Sequence, residues 1–84
     1  MNASKNQIQM TAQLYDMRDK AKRLLGSKYK AQMADLGRIL SMTAQRDKKS
    51  VLAVATEVCN KRKLIGMDLL LVMSAAVELM EPSE

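Results

Sequence analysis

Apolar residues recur along this chain at spacings of three and four, which is the period of one face of an α-helix. The first such stripe consists of Met10, Leu14, Met17, Ala21 and Leu24. A capping-box pattern begins at Ser4, and Gly26 supplies a residue that can end a helix in the left-handed conformation. The pattern predicts a first helix over about residues 4–25.

Two further amphipathic helices follow by the same criteria. A stripe from Tyr29 to Thr43 predicts a second helix over about residues 27–45, with Ser27 as its N-cap. Residues 45–50 are polar but contain neither Gly nor Pro, so one long bent helix is the alternative. We favour a break, because Asp47 would otherwise occupy the core stripe, and we take Asp47 or Ser50 as the next N-cap. The third helix then covers about residues 48–64 and ends at Gly66.

The last predicted helix, over about residues 68–80, differs from the others. Between Leu69 and Met80 only Ser74 and Glu78 are polar, so this helix is apolar nearly all round and should be buried. It is too short and too interrupted for a membrane span, which needs about 20 apolar residues. We therefore predict an all-α fold, a compact bundle of about four short helices around a central C-terminal helix, in one domain spanning residues 1–84.

The same apolar helix predicts a homodimer. Three short amphipathic helices do not easily cover a helix that is apolar all round, and a domain of this size is only marginally stable alone. Burial against a second copy would solve both problems. The expected dimer interface consists of Leu69, Leu70, Val72, Met73, Ala76, Val77 and Met80.

The side-chain chemistry argues against an enzyme. The chain has no His, which is the commonest general base and metal ligand. Its single cysteine, Cys59, is at helical spacing from Leu52 and Ala55, as expected for a small core residue rather than a nucleophile. No zinc-type ligand cluster or glycine-rich phosphate loop is present in the sequence. We predict a non-catalytic protein without cofactor or metal, and the lone cysteine indicates a reducing compartment such as the cytoplasm.

Charge is distributed unevenly around a net value of +5. All 14 Lys and Arg lie within residues 1–66, whereas residues 67–84 carry only acids. Possible phosphate contacts are Arg46, Lys48, Lys49, Lys61, Arg62 and Lys63. A solvated surface, or compensation of helix dipoles, explains the same cations equally well. A helix–turn–helix reader of DNA is disfavoured, because the last helix is apolar and acidic.

A second stripe on the first helix is the candidate partner-binding face. Its members are Ile8, Thr11, Tyr15, Arg18 and Lys22. Tyr and Arg are enriched at binding hot spots, although burial between two neighbouring helices would also explain the stripe. We expect a small binding protein that docks on a larger protein or nucleoprotein machine, as an adaptor or inhibitor of the kind found among phage or plasmid accessory proteins. The alternative is a regulatory or nucleic-acid-binding protein without sequence specificity that uses its basic surface.

Overall fold

A computed structural model of the chain describes residues 5–80, and describes side chains from residue 12 onwards. The α-helices are α1 (Lys5–Leu25), α2 (Tyr29–Asp47), α3 (Val51–Arg62) and α4 (Gly66–Met80). A single 3-10 turn, Gly26–Lys28, joins α1 to α2 without any non-helical residue. The helical residues therefore form three uninterrupted runs rather than the four separate helices expected. No β-strand occurs between residues 5 and 80, which confirms the all-α class.

The last helix, α4, is the centre of the fold. It contacts each of the other three helices, whereas α1 and α3 share no close backbone contact among the described residues. Most of the middle of α4 is buried, at Val72, Ser74, Ala75, Ala76 and Val77. The central position predicted for this helix is confirmed. None of the described helices combines the length and the apolarity that crossing a membrane requires.

Small residues allow the other helices to approach α4 closely. Every helix contributes a buried alanine to the core, and these are Ala21, Ala44, Ala55, Ala75 and Ala76. Because alanine has no side chain beyond Cβ, helix axes separated by such residues come closer together than axes separated by leucines. Close approach explains how three short helices cover most of an apolar fourth one.

The buried face of α2 is rotated from the face that the apolar stripe predicted. Leu36 and Thr43 are only half-buried and Ile39 is exposed, while Gly37 and Ala44 are buried in their place. A comparable shift occurs at the end of α1, where Leu25 packs against the core and Leu24 faces water. Neighbouring positions compete for the same side of a helix, so contacts with other helices decide which one is covered.

The break between α2 and α3 is where the sequence predicted it. Ser50 caps α3, since its side-chain oxygen accepts a hydrogen bond of 3.1 Å from the backbone N–H of Ala53. Asp47 instead belongs to the last turn of α2. Ser27 is also not a cap, because it lies within the 3-10 turn.

The residues that end α2 and α3 are lysines in the left-handed conformation. Lys48 has a φ of 55° and Lys63 a φ of 53°. The N–H of Lys63 bonds back to the carbonyl oxygens of Asn60 and Cys59. The prediction that Gly66 ends α3 is therefore wrong, because Gly66, with a φ of 62°, opens α4. Gly26, with a φ of 57°, follows α1 as predicted.

A glycine at position 63 should stabilise the fold, because only glycine adopts the left-handed conformation without steric cost. We expect Lys63→Gly to be more stable than Lys63→Ala by about 0.5–1 kcal/mol in urea unfolding. The alanine variant is the matched control, since it removes the same charge and keeps the strain. Equal stability of the two variants would contradict this account of the helix end.

Position 37 should accept a methyl group. A Cβ built on Gly37 lies 3.8 Å from the side-chain carbons of Leu79, which is ordinary van der Waals contact. Because a glycine inside a helix costs about 1 kcal/mol relative to alanine, we expect Gly37→Ala to raise the free energy of unfolding by about 0.5–1 kcal/mol. Gly26→Ala is the contrasting variant and should lower it, since φ is positive there. Thermal unfolding of the two variants measures whether each change raises or lowers stability relative to the wild type.

Candidate binding surfaces

The stretch of sequence that joins α1 to α2 is rich in cations and contains no acid. Residues 20–34 contain five Lys or Arg and no Asp or Glu. We call this cluster the basic elbow; it consists of Lys20, Lys22, Arg23, Lys28 and Lys30, all exposed. None of the five forms an ion pair with a residue that the structure describes. Leu24, within the same stretch, exposes 57% of its surface. The elbow thus combines charges with an apolar side chain in water.

The candidate partner-binding stripe of α1 is only partly available. The side chain of Arg18 is 17% exposed, and its guanidinium carbon lies 4.8 Å from the centroid of the Tyr15 ring. Arg18 therefore makes a cation–π contact with Tyr15, and little of its guanidinium group is accessible to a partner. Tyr15 itself is 38% exposed, and Lys22 is exposed and belongs to the basic elbow. The side chain of Ile8 is outside the described part of the chain.

A polar network that the sequence did not predict fixes the elbow to the end of α4. The hydroxyl of Tyr29 donates a hydrogen bond of 2.6 Å to Glu78, and the Lys22 ammonium lies 5.6 Å from the Tyr29 ring centroid. One turn earlier on α4, the buried Ser74 hydroxyl donates to the carbonyl of Met17, at 3.5 Å. Ser74 and Glu78, the two polar residues in the apolar part of α4, therefore both bond to α1 or α2. The hydroxyl of a buried tyrosine usually has a hydrogen-bond partner. The place of Tyr29 in the apolar stripe of α2 was therefore the one feature of the sequence that pointed to such a bond.

Two of the candidate phosphate contacts before α3 are engaged by acids. Arg46 forms an ion pair with Asp47 at 3.0 Å, and Lys49 one with Glu57 at 2.6 Å. The Arg46 hydrogen bond lowers the pKa of Asp47, and the Glu57 hydrogen bond raises the pKa of Lys49. Lys48 is exposed and forms no ion pair with a described residue.

The other candidate phosphate contacts lie at the far end of α3. Lys61, Arg62 and Lys63 are exposed, and no described residue forms an ion pair with them. With 12 residues, α3 is about 18 Å long at a rise of about 1.5 Å per residue. The six cations therefore form two separate groups rather than one surface.

The residues expected at a dimer interface differ in their exposure to solvent, and therefore in their accessibility to a partner. Val72, Ala76 and Val77 are buried by helices of the same chain. Leu69, Leu70 and Met73 are half-buried, and Met80 is exposed. A second copy that docks on the folded chain can contact chiefly the latter four. The dimer itself stays a prediction.

Two depressions follow the seams between helices. A groove of about 570 Å³ runs between α2 and α3 over α4, lined mainly by apolar side chains that include Leu36, Ile39, Val58, Leu64, Leu71 and Val72. A smaller crevice of about 290 Å³ lies between α1 and α3, and Cys59 lines it beside Met17 and Thr56. Along the described part of the chain, no three His, Cys, Asp or Glu residues lie close enough together to hold a metal.

No family model, curated protein or solved structure matches this chain. The surfaces that bear on function are thus the elbow, the cations at the end of α3, the stripe of α1 and the two depressions. The elbow has five exposed cations against three at the end of α3, and the groove is the larger of the two depressions.

The thiol of Cys59 should react slowly in the folded protein. It is buried, as the sequence predicted, and burial raises its pKa. A raised pKa lowers the fraction of thiolate at pH 8, and the thiolate is the reactive form. We expect Cys59 to react with Ellman's reagent at pH 8 at least about tenfold more slowly in the native protein than in the urea-unfolded chain. Equal rates would show that the crevice exposes the thiol and that its environment does not suppress ionisation.

Proposed function

We propose that this chain is a small non-catalytic binding protein that docks, through the basic elbow, on an acidic surface of a larger protein or nucleoprotein assembly. The proposal includes a homodimer. It keeps the cytoplasm as the compartment, because Cys59 is an unpaired thiol, which a reducing compartment preserves.

The position of Lys28 and Lys30 carries this proposal. They stand at the start of α2, and no acid occurs in the first turn of that helix. The start of a helix is the positive end of its dipole, so each cation there is unfavourable by about 0.3–1 kcal/mol. Lys22 and Arg23, in the last turn of α1, are explained by the dipole of that helix; Lys28 and Lys30 are not. Cations that oppose local stability, without an acidic partner in the described chain, favour a role in binding.

The exposed Leu24 favours a protein as the partner. Its neighbour Leu25 packs against the core, so the chain has apolar side chains on both sides of the end of α1. A contact with phosphates alone would not use an apolar side chain, whereas a protein interface buries an apolar anchor within a polar rim. The cations would steer an acidic partner towards the elbow, and desolvation of Leu24 would then slow its release.

A homodimer would increase the strength of this docking. Two copies present two basic elbows, and binding of the first brings the second close to the same assembly. Multivalent contact of this kind suits a protein whose individual contacts are exposed cations, because each such contact is weak and screened by salt.

Nucleic-acid binding without sequence specificity is the second candidate. The exposed group at the end of α3 (Lys61, Arg62 and Lys63), which forms no ion pair with a described residue, favours it, together with the net charge of +5. In that case binding would depend on the total number of cations and would fall steeply with salt. Against it, the two basic groups beside α3 are separated, and two of the three cations in the first group form ion pairs with acids.

Charge reversal at the elbow separates binding from stability. We expect Lys28→Glu/Lys30→Glu to weaken binding to the protein partner by about tenfold or more, and to keep or slightly raise the melting temperature, because acids are favourable at a helix start. The partner is first captured from nuclease-treated extract of cells that produce the chain, and its affinity is then measured with purified components.

Lys61→Glu/Lys63→Glu is the matched control. It makes the same change in net charge at the end of α3, where acids are unfavourable, so it should lower the melting temperature slightly and leave partner binding nearly intact. Equal losses of affinity in both variants, with a steep dependence on salt, would reject docking through the elbow and favour nucleic acid.

A further inference from the structure

The groove between α2 and α3 is the largest apolar concavity among the surfaces described above. Its floor is α4, which contributes Leu71 and Val72, and its walls include Leu36 and Val58. The groove exists because α2 and α3 both pack on α4 and leave a gap between their outer sides. A pocket of about 570 Å³ has the size of a site that accepts apolar side chains of another molecule.

One large apolar side chain in the wall of the groove remains in water, and two others close to groove residues in the sequence are also exposed. Ile39 lines its α2 wall and is 57% exposed. Met42, three positions further along α2, is 64% exposed, and Ile65, which follows the groove residue Leu64, is 80% exposed. Single exposed apolar residues are ordinary, but a concavity with exposed apolar residues beside it marks an interaction site.

The charges on the groove identify the occupant. Arg62 and Asp68 both line it, and neither forms an ion pair with a described residue. An acidic segment of a partner would place a negative charge beside Asp68, and a basic segment would place a positive charge beside Arg62. Each would therefore be repelled by one of the two residues. A second copy of this chain, related by a two-fold axis, satisfies both, because Arg62 of each copy then faces Asp68 of the other.

We infer that this chain forms an isologous homodimer in which the groove between α2 and α3 of one copy packs on the same groove of the other. Ile39 of each copy enters the apolar groove of its partner, and two crossed Arg62–Asp68 pairs fix the register. This inference rests on the homodimer of the proposed function and moves its interface from the middle of α4 to the groove, where α4 contributes only Asp68, Leu71 and Val72.

The first test is the dissociation constant of the chain alone, measured by sedimentation from about 1 to about 300 µM, the range of weak dimers. We expect a dimer for the wild type and an increase of the dissociation constant by about tenfold or more for Ile39→Glu, because the charge would be buried in an apolar groove. Ala34→Glu adds the same charge at an exposed position on another side of α2 and should leave the dimer unchanged. A monomeric wild type, or an Ile39→Glu dimer as tight as the wild type, would overturn the inference.

The second test uses the two-fold geometry. Arg62→Glu alone and Asp68→Arg alone should each weaken the dimer, because like charges then face each other twice. Mixing the two variants should restore a heterodimer, since each charge again meets its opposite. If both single variants dimerise weakly and their mixture forms no tighter heterodimer, the crossed pairs are ruled out.

Salt dependence repeats this test without altering Asp68, which lies in the first turn of α4 and could affect folding. The wild-type dissociation constant should rise with sodium chloride, and Arg62→Gln should reduce that slope. Equal slopes would overturn the crossed pairs. Both tests use the chain alone, so their failure is distinguishable from a failure of the elbow to bind its partner.

Discussion

Burial of α4 beneath the other three helices is the constraint on which the rest of the structure depends. A helix with this many apolar residues cannot face water, since each methylene group kept from water contributes about 0.8 kcal/mol. The other helices each offer one apolar face, and all three pack mainly on α4 and less on one another. The groove and the crevice lie at the seams of that arrangement, between helices that meet over α4 and separate towards the surface. The core and the candidate surfaces thus have the same origin.

Much of the fold follows from the sequence by simple periodicity. The helices, the break before Ser50 and the central place of the last helix all depend on local patterns that tertiary contacts reinforce. Which of two neighbouring apolar residues is buried does not follow from the sequence. Leu24 and Leu25 both border the inward side of α1, and only the positions of α2 and α4 decide which of them is covered. That α3 ends at Lys63 could also not be predicted from the sequence. Sequence rules expect glycine in the left-handed conformation at a helix end and do not anticipate a lysine there.

The candidate site was predictable in its residue types but not in their partners. The cations before α3 stand out in the sequence, yet Lys49 pairs with an acid eight positions away, which no local rule implies. The sequence argument for the dimer assumed that short helices cannot cover α4, and buried alanines such as Ala76 reduce the volume that has to be covered. The elbow was not predicted from the sequence, because its significance depends on Lys28 lying immediately before α2, which follows α1 after a single 3-10 turn.

The dependence of every helix on α4 has a consequence for synthesis of the chain. Ribosomes add residues from the N-terminus at about 5–20 per second, so α1, α2 and α3 are made before the helix on which they pack. Until α4 leaves the ribosome, the hydroxyl of Tyr29 has no Glu78 to bind, and the faces around Ala21 and Ala55 have nothing to cover them. Folding is therefore completed only after translation of Gly66–Met80, and a chain that ends before this helix exposes its apolar faces to chaperones and proteases.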